Sequence, residues 1–212
     1  MPSLLNLPFM RKPGTGEGAL SSAASRPEAS EDSLRAKVYR IIIDRYRELI
    51  EAQEQRSVSD LKGAVQPRNE RISAMRESLA EGFHPYVYNE NFMQAAKMAF
   101  GYVSSFRTLS LPVSFWLDFS EMQSLMAGDE IDKSILLCSL LRSLGSENAK
   151  VVVTDSRNSY VLFGFSGRSF VADHSKSELS ELQAGQDAAG MLSGKPLYSF
   201  NDKEYEDFQE SE

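Results

Sequence analysis

Cysteine is almost absent from this 212-residue chain: Cys138 stands alone, joined by only two histidines, His84 and His174, and one tryptophan, Trp116. A single thiol excludes an intrachain disulfide, and these Cys and His side chains are too few and too scattered for a structural zinc site. The composition suits a reducing compartment. Long apolar runs are missing as well. The most apolar N-terminal stretch, residues 4–10, is interrupted by Pro8 and falls well short of the ~20 residues that span a bilayer. Its basic pair, Arg11 and Lys12, follows the apolar residues, the reverse of the order in a secretory signal. A cytoplasmic location is therefore expected. An excess of basic charge is also lacking: the formal net charge is −7. Asp202, Glu204, Glu206, Asp207, Glu210 and Glu212, against Lys203 alone, carry most of it. That leaves a nearly neutral body followed by an acidic tail over 202–212, read as a solvated end that aids solubility. No basic face is available for nucleic acid.

What is present comes in two styles. Residues 11–30 are rich in Gly, Ser, Ala and Pro and hold too few large apolar side chains to offset ordering entropy, so 1–30 is expected as a disordered arm. Residues 31–108 read as a helical N-terminal part. Within 31–56, Leu34, Val38, Ile41, Ile42, Tyr46, Leu49 and Ile50 recur at helical spacing among equal numbers of acidic and basic residues. That pattern predicts a neutral amphipathic helix with one buried face. A second helix is predicted over 69–80, with Ile72, Met75 and Leu79 inward, and a third over 90–107, with Phe92, Ala96, Ala99, Phe100 and Val103 inward. A proline-broken apolar stretch, 109–117, reads as an extended connector with Trp116 in the core. Residues 132–144 leave so little polar surface that a central, wrapped helix is expected, closed by Gly145 as a left-handed cap.

Beyond Gly145 the apolar period changes from 3.6 to 2. Residues 149–153 are a β-branched run; 160–165 and 169–172 flank Ser166-Gly167, a two-residue hairpin turn; and 196–200 supplies another strand. Helices first and an antiparallel meander after them make an α+β architecture, with the core placed at 109–201.

One segment carries more than periodicity. Gly128-Asp-Glu-Ile-Asp-Lys-Ser-Ile-Leu-Leu-Cys-Ser-Leu-Leu-Arg-Ser-Leu-Gly145 resembles the active-site helix of the transglutaminase-like superfamily in its prokaryotic and archaeal forms. There Gly-Asp-Cys-Glu-Asp-Lys leads into an apolar helix ending Leu-Leu-Arg-x-Leu-Gly. Downstream, Asn158-Ser-Tyr-Val161 stands where the family has His-Ala-Trp/Phe-Val, and Asp173-His-Ser where it has Asp-Pro-Thr. The resemblance implies a papain-like fold, with the buried helix packed on a small antiparallel sheet. It also implies a Cys-His-Asp triad in which a thiolate at the helix start attacks an amide carbonyl.

Mapped residue by residue, Glu130 takes the cysteine position, Asn158 the histidine position, and only Asp173 is kept. A carboxylate is a weak nucleophile toward an amide and Asn158 is no base, so the degenerate positions Glu130, Asn158 and Asp173 are not expected to be catalytic. Cys138 lies two turns into the Leu-rich helix and reads as a buried hydrophobe. His174 follows Asp173 and so points to the other strand face. Glu130, Asp173 and His174 show no spacing that demands a metal, and neither metal nor cofactor is expected. Asp129, Glu130 and Asp132 have a plain use in capping the helix and complementing its dipole.

The expectation is a catalytically inactive transglutaminase-like protein that binds a protein or peptide in a vestigial cleft between helix start and sheet. The alternative is a hydrolase or acyltransferase using non-standard residues, Cys138 among them. A homodimer through residues 31–56 is a further expectation.

Overall fold

The computed structural model describes residues 31–53, 56–113, 115–183 and 188–208. The arm expected over 1–30 and the last four residues of the expected tail lie outside these. Contact density divides the chain into two units, residues 1–41 and 42–212.

The first helix, α1 (Glu31–Gln53), follows the predicted periodicity. Its apolar stripe is not buried, however: Val38, Ile41, Ile42, Tyr46 and Leu49 are all exposed, Leu49 by 64%. The expectation of a buried face is corrected here, because periodicity establishes that a stripe exists and says nothing about what covers it.

Within residues 42–212, the helices α2 (Val58–Ala64), α3 (Glu70–Ala80), α4 (Tyr88–Ser104), α5 (Phe119–Leu125) and α6 (Glu130–Ser143) precede the main sheet. α3 and α4 match the predicted second and third helices. They pack directly on α6, so the helical part and the core share one interior rather than dividing near 108. α2 and α5 are seven residues each, too short for periodicity to reveal. Both begin with a reciprocal capping box, Ser57 with Asp60 and Asp118 with Glu121, a signature readable in sequence. A short parallel pair, β1 (Arg107–Thr108) and β2 (Ala127–Gly128), brackets the connector.

The main sheet has six strands: β3 (Lys150–Thr154), β4 (Ser159–Phe165), β5 (Arg168–Asp173), β6 (Glu178–Glu181), β7 (Pro196–Phe200) and β8 (Tyr205–Asp207), in the order β6-β5-β4-β3-β7-β8, each pair antiparallel. The class is α+β, as the change of period predicted. Ser166 (φ 50°) and Gly167 (φ 74°) form the β4–β5 turn, the pair of positive φ values that matches strand twist in a two-residue hairpin. β8 corrects the tail. Residues 205–207 enter the sheet, Arg142 pairs with Asp202, and Glu206 bonds Lys150 at 3.0 Å. Acidic side chains alternating with Tyr205 are compatible with an edge strand, where one face stays in water.

α6 is the centre of the fold. Leu136, Leu137, Cys138, Leu140 and Leu141 are each at most 1% exposed, between α3 and α4 on one side and β3 and β4 on the other. Gly145 stops it at φ 107°, where a Cβ would lie 2.9 Å from the Tyr88 ring, so conformation and space both require glycine.

Candidate functional site at the start of α6

The first turn of α6 is held by carboxylates. The Asp132 N–H donates to Asp129 Oδ1 (2.8 Å) and the Asp129 N–H to Asp132 Oδ2 (3.2 Å), the reciprocal cap of a buried helix start. Asp132 Oδ1 also accepts the Leu117 N–H at 3.2 Å, tying the connector to the helix. Asp132 is 2% exposed. Burial, then the neighbouring Asp129 charge, pushes its carboxyl well above the usual range. Glu130 is raised by burial first, then by the charges of Asp173 and Asp129, with Lys133 opposing.

One turn on, Lys133 is 2% exposed. Its Nζ donates to Phe106 O and, at 2.9 Å, to Thr108 Oγ1, so α6 is fastened to the entrance of β1. Burial lowers the Lys133 pKa and Glu130 partly restores it. Ser134 and Ser159 share a hydrogen bond between their hydroxyls at 3.0 Å, both buried, which closes the sheet-facing side of the helix start.

Strand alternation sorts the remaining candidates. Phe163 meets Phe92 of α4, and Val161 and Ala172 lie in the same core, so the odd-numbered residues of β4 and the even-numbered ones of β5 face the helices. The register pairs Tyr160 with Asp173. Ser159 and the residue after β5, His174, are thus on the helix side, and Asp173 starts from the other. His174 stacks on Phe100 at 5.4 Å between centroids, is 4% exposed, and leaves both ring nitrogens buried without a hydrogen-bond partner among the described residues. Burial, then Lys133, lowers its pKa to about 4 against a small opposing pull from Asp173. Its ring is neutral at neutral pH.

Asp173 closes its own turn. Oδ1 accepts the Ser175 N–H (2.9 Å), the Ser175 hydroxyl (2.6 Å) and the Lys176 N–H (3.1 Å), while Oδ2 pairs with Lys176 at 3.4 Å. Burial raises this carboxyl, but those donors outweigh it and the pKa falls. Asn158 spends its amide on Ser156 Oγ at 3.2 Å, within the β3–β4 turn. The charge of Asp173 reaches Glu130; no hydrogen bond joins Asn158 to either among the described residues. Cys138, at 0% exposure in mid-helix, has its thiol pKa pushed up by burial, which disfavours the thiolate.

A cavity of about 550 Å³ opens on the other flank of the helix start, against α2, the beginning of α3 and residues 116–120. Trp116, Leu117, Phe119 and Ile135 give it an apolar wall, Asp132 reaches it, and the Arg56 guanidinium lies 5.3 Å from the Trp116 ring centroid. Trp116, expected simply as core, packs partly on the core and also lines this cleft. A cleft was expected between the helix start and the sheet; the cavity lies instead against α2, the start of α3 and residues 116–120, and Lys133 and the Ser134–Ser159 bond were not among the expected site features. The alternation rule, applied one residue past Asn158, would have picked out Ser159. Among the described residues no group of three or more His, Cys, Asp or Glu side chains is arranged to hold a metal ion, and no helix is long and apolar enough to cross a membrane. Chemically, the helix start can hold and share protons and can bind polar groups; it offers no activated nucleophile beside a base.

No family model matches the chain, and no curated protein matches it. Among solved structures it is similar to Legionella pneumophila LapG, at 15% identity and a TM-score of 0.49 over 73% of this chain and 89% of that one. The EGTA-treated form of LapG gives 15% and 0.47 over 71% and 84%, and the calcium-bound form 14% and 0.46 over 71% and 85%. These values assign no family to the chain.

Proposed function

We propose that the chain is a transglutaminase-like protein that has given up catalysis and binds a peptide segment of another protein in the cleft beside α6. One observation carries this reading: the first turn of α6 offers carboxylates, Asp129, Glu130 and Asp132, where the resemblance requires a thiolate, and a cavity with an apolar wall opens beside it. Glu130 is kept towards neutrality by burial, Asn158 is engaged in a turn, and Cys138 is sealed in the helix core. The apolar wall with Arg56 stacked on Trp116 suits an extended peptide that places one apolar side chain against the indole.

The test has two arms. Iodoacetamide applied to the folded chain should leave Cys138 unmodified until denaturant is added, and a tiled peptide array should yield binders whose signal drops at least about tenfold in Trp116→Ala. The Glu130→Ala, Asn158→Ala double variant should retain those binders. Rapid alkylation of Cys138 at neutral pH, or an amide-cleaving activity that the double variant loses, would overturn the proposal in favour of an enzyme.

A further inference from the structure

Asp132 does more than cap α6. Its two oxygens accept from different places: Oδ2 from the Asp129 N–H inside the first turn, and Oδ1 from the Leu117 N–H, 15 residues back in the connector. Both bonds measure 3.2 Å, beyond the usual ~2.9–3.0 Å. Among the described residues no other hydrogen bond joins residues 110–117 to α6. Trp116 and Leu117 of that connector line the cleft, as do Asp132 and Ile135 of α6. One carboxylate oxygen therefore ties the tryptophan wall of the cleft to the central helix.

That tie depends on ionisation. With both oxygens facing N–H donors, a proton placed on either one is aimed at a donor, and one of the two bonds has to go. The cap bond lies within one helical turn and is backed by its reciprocal, the Asp132 N–H to Asp129 Oδ1 at 2.8 Å. The Leu117 tether joins separate elements with no second bond behind it, so the tether is the one that is lost. Burial and the Asp129 charge both favour the proton on Asp132. The other charged groups around it are Glu130 and Lys133 on α6, Asp118 next to the connector, Arg56 and Asp60 at α2, and Arg71 on α3. Of these, Lys133 is spent on Phe106 and Thr108, and Asp118 on the cap of α5. We infer that Asp132 is a proton-operated latch on the cleft: ionised, it holds the Trp116 wall against α6, and protonated, it lets that wall go. The latch stands on the hydrogen bonds; its hold over binding rests on the peptide-binding proposal.

Trp116 is the only tryptophan in the chain, so acrylamide quenching of the full chain's fluorescence reads the wall directly. Quenching should rise as pH falls, in one transition whose midpoint lies well above the ~4 of an ordinary carboxyl. Asp132→Asn, which cannot ionise, should lose that transition and show the low-pH level of quenching throughout. Asp129→Asn keeps a competent N-cap and removes the neighbouring charge, so it should move the midpoint down by about one unit. That second variant decides the matter even where Asp132→Asn fails to fold, and far-UV circular dichroism checks that the helices persist in each. A flat profile in the wild-type chain overturns the latch, as does a transition that Asp132→Asn retains or a midpoint that Asp129→Asn leaves in place. The array peptides supply a separate reading. A peptide that needs Trp116 should bind about tenfold more weakly one pH unit below the midpoint than on the plateau above it. Binding that ignores pH while the wall titrates overturns the latch's hold on the cleft. A wall that titrates in a chain with no peptide binders upholds the latch and removes the peptide-binding proposal instead.

Discussion

α6 and α1 are both rich in leucine and isoleucine, and they have opposite fates. α6 has apolar residues on nearly every side, and helices and sheet surround it; its polar residues either cap its ends or are themselves buried in hydrogen bonds, as Lys133, Ser134 and Ser139 are. α1 has one apolar stripe with charges behind it, and the stripe is exposed. In α6 the composition leaves only one solution, because such a helix has no face fit for water. In α1 the stripe establishes an apolar surface and specifies nothing about what covers it. One helix organises the interior of residues 42–212, while the stripe of the other is exposed.

The comparison can be broken at several strengths. Leu140→Ala in α6 should cost about 2–5 kcal/mol in urea denaturation, through lost burial and the cavity it leaves. A comparable loss from Leu49→Ala in α1, measured at a dilution where any dimer is dissociated, would show that the stripe is covered within the chain. Next comes the imidazole beside α6. Its folded pKa of about 4 lies below the ordinary 6.5, so the stability tied to the neutral ring is intact above pH 6.5 and is lost as pH falls through about 4. The loss is on the order of 3 kcal/mol when complete. His174→Phe, which can keep the stack on Phe100, should flatten this acid limb; an unchanged limb would mean that the ring is charged or hydrated in the fold.

A subtler test lies at the sheet-facing side. Ser134→Ala alone strands the buried Ser159 hydroxyl and should cost about 1 kcal/mol or somewhat more, whereas Ser134→Ala with Ser159→Ala should cost less than the single variant, because neither partner is left unsatisfied. Equal costs would mean that the two hydroxyls do not depend on each other. The smallest effect belongs to α1. Leu49→Ala should stay within about 0.5 kcal/mol in urea denaturation, because the side chain is already exposed.

Much of the fold was legible where local chemistry and burial agree. The α3 and α4 faces, the wrapped α6, the cap at Gly145 and the turn at Ser166-Gly167 all follow from spacing and φ requirements that no neighbour can override. β6 and β8 were not legible, because short charged edge strands lack the alternating apolar signal and exist only through the ladder that recruits them. Of the candidate site, Glu130 and Asp173 could be named from sequence, and the burial of Cys138 followed from its place in the helix. Lys133 and Ser134 looked like ordinary polar positions, since their partners lie 25 or more residues away in sequence.

By itself the sequence determined that helices precede an antiparallel meander, the central helix and the carboxylate-rich start of that helix, because each depends on residues within a few turns of one another. Tertiary structure decided the rest. It sealed the helix start on the side of the sheet, opened a cleft on the other flank, buried an imidazole against Phe100 with no hydrogen-bond partner among the described residues, and left the α1 stripe in water. Those outcomes depend on which distant surfaces meet, and a periodic pattern specifies that a surface must be covered without specifying by what.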